Sequence, residues 1–102
     1  MPLVVRPNEE DSSQLFIVID GKFDFNIRKP FRDAYSSANA KVKHFVLDML
    51  NASYIDSSGL GMLLILKEHA DEIGGSVTVI NANTTVKELL ELSNFGQLFD
   101  IK

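Results

Sequence analysis

The chain contains no cysteine, which removes disulfides, thiol chemistry and any cysteine-ligated zinc site. No apolar run approaches the roughly 18 residues that a membrane-crossing helix needs, and nothing after Met1 reads as a signal peptide. The cytoplasm is therefore the expected compartment, and no membrane partner is expected. An excess of positive charge is also lacking. Ten basic residues stand against 14 acidic ones, a net charge of −4, with no basic stripe, so nucleic acid is not an expected partner. Repeats, linkers and low-complexity segments are absent. So is a glycine-rich nucleotide loop with a lysine, and the chain should carry no kinase activity of its own.

What remains is 102 residues, 45% apolar and 24% charged. That suits one domain, residues 1–102, with one core, and a monomer is expected. Leu3-Val4-Val5, the polar stretch Asn8 to Ser13 and the apolar run Leu15 to Ile19 make a hairpin pattern. Phe23-Asp24-Phe25 alternates like a short strand, and Asn26 can cap the element after it. Phe31, Ala34, Tyr35 and Ala38 fall at helical spacing, which predicts a helix from Arg28 to Asn39, with Pro30 tolerated in its first turn. Tyr35 is expected in the core. Phe25 can be either core or partner-facing.

His44 to Leu50 is apolar except for Asp48, as in a strand covered on both faces. Asp48 is then expected near an end or hydrogen-bonded, since an unpaired buried carboxylate is costly. A helix is predicted from Leu60 to Ile73, ended by Gly74-Gly75. Its first two turns are apolar all round. Leu63, Leu66, Ala70 and Ile73 share one face, whereas Leu60 and Leu64 fall with Lys67 and Asp71. Either a neighbour covers those two leucines or they face a partner. Ser76 to Asn81 reads as a strand, Thr85 to Glu88 as a capping box opening a helix, and Gln97 to Ile101 as a last strand.

Between the central strand and its helix stands Asp56-Ser57-Ser58-Gly59-Leu60-Gly61. An acid and two hydroxyls there are helix N-cap chemistry. They also lie at the positive end of a helix dipole, beside two glycines that let another molecule approach the backbone, a place that welcomes phosphate. Ser57 is not placed as a catalytic nucleophile. Ile55 occupies the first glycine position of a hydrolase elbow. His69 lies roughly 18 Å along the same helix at 1.5 Å per residue. His44 lies roughly 20 Å away along the strand at 3.3 Å per residue. Asp24, Asp48 and Asp56 would make an Mg²⁺ site only if the fold brought them together; no metal or cofactor is expected.

This loop, after an apolar strand and before an apolar helix, resembles the phosphorylation loop of STAS-domain anti-sigma factor antagonists, and the order of elements fits over nearly the whole chain. The resemblance implies an α/β fold: a mixed four- to five-stranded sheet with about three packed helices, lacking the family's final helix. It implies that Ser57, after Asp56, is the phosphoacceptor and that Ser58, Gly59 and Gly61 support the loop. Gly21-Lys22-Phe23-Asp24 is similar to a family segment that brings its aspartate, here Asp24, close to that serine. The implied function is bacterial partner switching in transcription regulation. The unphosphorylated form binds an anti-sigma factor or serine kinase of the kinase fold through residues such as Leu60, Leu64 and Phe25. Phosphorylation releases that partner, and a PP2C-type phosphatase resets the switch. Similar domains also serve as small-ligand or anion-binding modules in signalling or transport assemblies without a sigma factor.

Overall fold

A computed structural model describes residues 2–102. The elements in chain order are β1 (Leu3–Pro7), β2 (Gln14–Phe23), a 3₁₀ turn (Phe25–Ile27), α1 (Arg28–Ser36), β3 (His44–Ile55) and α2 (Ser57–Glu72). After these come β4 (Ser76–Ile80), α3 (Thr84–Leu92), a second 3₁₀ turn (Phe95–Gln97) and β5 (Asp100–Ile101). The strands form one mixed sheet of order β1-β2-β3-β4-β5. β1 is antiparallel to β2, and every later pair is parallel.

That order decides where the helices go. Each parallel crossover steps the same way across the sheet, and right-handed crossovers then put α1, α2 and α3 on one face. Burial follows the same division. Leu15, Ile17 and Ile19 of β2, Phe45, Leu47 and Met49 of β3, and Val77 and Val79 of β4 are buried. The intervening Phe16, Val18, Asp48, Thr78 and Ile80 are only half-buried. The expectation of a central strand covered on both faces is thus corrected. Its apolar run reflects a central place in the sheet, where Phe16 and Thr78 flank Val46, and Leu50 is 67% exposed.

The β1–β2 turn is held by Asn8 and Asp11, whose side chains accept from the backbone N–H groups of Glu10 and Ser13, each at 2.9 Å. Hydrogen bonds from Ser13 also hold the Asp11 carboxyl below its ordinary pKa. A chain of aromatic contacts ties α1 to the sheet and to α2. Phe23 meets Phe31 edge-on at 5.0 Å, Phe31 meets Tyr35 at 5.6 Å, and Tyr35 meets both Phe45 at 6.4 Å and His69 at 5.0 Å. Tyr35 is a core residue, as expected.

Several boundaries differ from the sequence expectation. Phe23 ends β2 rather than starting a strand of its own, and Asp24, not Asn26, caps the adjoining turn. α1 stops three residues early, where the Ser37 hydroxyl donates to the Asp33 carbonyl and competes with the next turn. The cap of α3 is Asn83 rather than Thr85. Its side chain accepts from Val86 N–H at 2.8 Å and donates to the Ala52 carbonyl at 3.1 Å, so one residue both starts the helix and ties it to β3. The expected strand Gln97 to Ile101 is mostly a turn, because Phe95 and Phe99, four residues apart, are both buried with ring centroids at 5.3 Å.

Candidate functional site

β2 and β3 end side by side. Their register closes on Phe23 opposite Ile55, so the next residues, Asp24 and Asp56, leave neighbouring parallel strands together. The carboxyl ends of parallel strands are where open α/β sheets bind other molecules. Reaching this alignment takes two slips of register, in each of which β3 spends one residue more than β2. Asp20 pairs with Asn51 after Val18 pairs with Asp48, and Lys22 pairs with Tyr54 after Gly21 pairs with Ala52. Gly21 sits at the second slip with φ +86°, a backbone that side chains disfavour. Asp48 sits at the first. Its carboxylate accepts from Leu50 N–H at 3.0 Å and from the Asn81 amide at 3.1 Å, so it is hydrogen-bonded, as expected.

Asp56 is the N-cap of α2. Its side chain accepts from Gly59 N–H at 2.9 Å and its carbonyl from Leu60 N–H at 3.0 Å. The helix therefore begins at Ser57, three residues before the predicted Leu60. Ser57 is its first residue and is exposed; Ser58, next, is half-buried. With Gly59 and Leu60 satisfied, the N–H groups of Ser57 and Ser58 are the first-turn donors that helix geometry leaves without an intrahelical partner. Asp24 is half-buried, and its carboxylate is occupied by Asn26 N–H at 3.0 Å.

The two glycines of the loop differ. A Cβ on Gly59 would fall 2.4 Å from the Phe23 carbonyl oxygen and 2.7 Å from Ile55 Cγ1, whereas one on Gly61 meets nothing within 4 Å. Close approach at Gly59 is therefore used by the fold itself, and only Gly61 leaves its backbone open to a visitor. Asp24 and Asp56 are brought together; Asp48 is not, since it lies seven positions before Ile55 on β3. Among the described residues, no group of three or more His, Asp or Glu side chains is placed to hold a metal ion.

Beside the loop lies apolar surface. Phe25 is 56% exposed, which settles the alternative of a core position, and the Arg28 guanidinium lies 3.9 Å from its ring centroid. Leu64 is 39% exposed, next to the Lys67–Asp71 ion pair. Leu60 is half-buried against the core. Sequence reasoning missed Ile65, 55% exposed. It was hidden in an apolar run with no polar residue to mark its face, although Met62 and His69, at helical spacing from it, outline the α1 side of α2.

A profile of the STAS domain matches residues 5–102. A STAS-domain containing protein of Pseudomonas aeruginosa (strain UCBPP-PA14) is 43% identical over 91 residues, 89% of this chain and 90% of the relative. An anti-sigma F factor antagonist of Paenibacillus polymyxa is 27% identical over 95 residues, 91% of this chain and 81% of its own length. Among solved structures, the anti-sigma factor antagonist SpoIIAA in its unphosphorylated form superposes with a TM-score of 0.76 at 17% identity, covering 98% of this chain and 86% of that one. The phosphorylated form of the Bacillus protein gives 0.66 at 19% identity, with 97% and 91% covered. A sulfate transporter family protein of Wolinella succinogenes gives 0.75 at 19% identity, with 83% and 70% covered. Sheet order, the crossovers on one face and the match along nearly the whole chain agree, and the chain belongs to the STAS domain family.

Proposed function

We propose that this protein is a phosphorylation-controlled partner-switching regulator, not an enzyme. One observation carries the reading: Ser57 is the exposed first residue of α2, at the paired strand ends that carry Asp24 and Asp56, with Phe25 directly after Asp24 and Leu64 two turns along α2 both exposed. Unphosphorylated, it binds an anti-sigma factor or serine kinase-type regulator of the kinase fold and so frees that regulator's target. The kinase modifies Ser57. The phosphate adds roughly −1.5 to −2 charges at the rim of the docking surface, where it must be stripped of water against the partner, and the complex dissociates. A PP2C-type serine phosphatase restores the binding form. The regulator works as a cytoplasmic monomer. The similarity to an anti-sigma F factor antagonist supports this reading.

Incubation with ATP and extract of the source cells, followed by intact-mass measurement and phosphopeptide mapping, tests it. One added phosphate on Ser57, absent from Ser57→Ala, is the expected result; no incorporation under conditions that modify other serine substrates overturns it.

A second reading rests on the first-turn N–H groups of Ser57 and Ser58, which with their hydroxyls suit a permanently bound anion. Domains of similar fold in transporter-family proteins lend it support. Calorimetric titration with inorganic phosphate or sulfate separates the two, since the switch reading expects no saturable anion binding by the unmodified chain.

A further inference from the structure

The groove between α1 and α2 has a volume of about 870 Å³ and two walls of opposite sign. α1 supplies Arg28, Lys29 and Arg32, offset only by Asp33; α2 supplies Glu68 and Glu72. Among the described residues the side-chain ion pairs are Lys67–Asp71 and Lys102–Asp100, so no pair joins the walls and their charges remain available. The floor is apolar, built from the edges of Phe31, Tyr35 and Met62. Phe25 and Ile65, at 56% and 55% exposed, are the large apolar groups left uncovered along it.

From these features we propose that the groove receives an amphipathic helix of the binding partner. That helix carries carboxylates on the flank toward α1, basic side chains on the flank toward α2, and an apolar stripe on Phe25 and Ile65. Both walls are themselves helical stripes. Arg28 and Arg32 stand four apart on α1, with Phe25 in the 3₁₀ turn just before it, and Ile65, Glu68 and Glu72 are spaced by three and four on α2, which is the surface a third helix packs against. Arg28 is already held over the Phe25 ring, its Nη1 donating to the Phe25 carbonyl at 3.2 Å. A planar guanidinium fixed in this way is prepared for a carboxylate. A polyanion would gain α1 but meet Glu68 and Glu72, and an added strand needs a sheet edge, which only β1 and β5 offer. The proposal rests on the partner-switching reading only in naming whose helix enters.

Three stapled helical peptides with one leucine stripe test it on the full chain, their flanks carrying glutamate and lysine, glutamate alone, or lysine alone. The wild type should bind the mixed peptide about fivefold or more tightly than either single-sign peptide, with amide shifts at Phe25, Ile65 and His69. In K29E/R32E, where the α1 wall keeps only Arg28 as a base and both walls are acidic on balance, preference should pass to the lysine peptide. Equal affinity for all three, no saturable binding, or shifts confined to another face would overturn the proposal. So would a concentration-dependent dimer abolished by Ile65→Lys, which would assign the groove to a second copy. None of these readings needs phosphate. A peptide preference that holds while Ser57 takes no phosphate keeps the groove and removes the switch; phosphate on Ser57 without peptide binding does the reverse.

Discussion

Gly59 presses on Phe23: a side-chain carbon on the glycine would stand 2.5 Å from the phenylalanine Cδ1. Real Cβ atoms do not come so close, and the other neighbours in the way are Ile55 Cγ1 and the backbone carbonyl of Phe23, the latter unable to swing aside. Gly59→Ala should therefore destabilise the fold by about 1–3 kcal/mol, the usual cost of overpacking. Gly61→Ala meets open space within the same helix and should be neutral or stabilising by up to about 1 kcal/mol. Urea unfolding of both variants checks the pair, and equal midpoints would contradict the contact.

Ser57→Ala should hold the partner permanently, and Ser57→Asp should weaken it. Aspartate has about half a phosphate's charge and lacks its tetrahedral oxygens, so a partial loss is the expected size. Ser58→Ala should still be phosphorylated, because the half-buried Ser58 lies one place further into the helix. Binding assays with the kinase that donates the phosphate would show no ranking among wild type, Ala and Asp if the serine lay outside the interface.

Leu64→Lys should abolish partner binding while changing stability by no more than about 0.5 kcal/mol, as is usual for exposed positions. Leu60→Lys should cost both, since Leu60 packs partly on the core. Thermal melts beside partner capture separate the two effects. A folded Leu64→Lys protein that still binds would move the interface elsewhere.

Burial raises the Tyr35 phenol above its ordinary pKa of 10.0, with Arg32 opposing. The folded value is the higher one, so on alkalinisation the unfolded chain loses this proton first. Stability should therefore be intact below pH 10 and fall as pH rises from there toward the folded-state value. Urea midpoints across this range in Tyr35→Phe should lack that component of the fall. An unchanged profile would assign it to other groups.

The loop was legible in the sequence because its chemistry is local. Asp56 caps the helix that begins one residue later, and no distant residue is needed to see why. Asp24 beside Asp56 was legible only through a family resemblance, because the alignment depends on two register slips between strands about thirty residues apart in sequence. The same distance hid Asn83, whose competing bond is to Ala52 and which displaced the local capping box at Thr85. One-sided cover of the sheet depends on strand order, which the apolar run of β3 does not encode. The turn before β5 was missed, because Phe95 and Phe99, four apart, would share a face in a strand just as a tight turn brings them into contact.

The contact between Gly59 and Phe23 also bears on time. α2 starts flush against the end of β2, and Asp56 N–H reaches the Phe23 carbonyl at 3.5 Å, so the first turn has no slack into which it can withdraw. Under phospho-switching, a group placed on Ser57 meets a helix end that cannot retreat. Its electrostatic terms within the domain, favourable with the helix dipole and unfavourable with Asp24 and Asp56, nearly cancel. Amide shifts on modification should then fade within a turn or two of Ser57. Partner exchange should show no slow phase belonging to this protein. The response time of the switch would be set by the kinase, the phosphatase and the partner's dissociation rate alone.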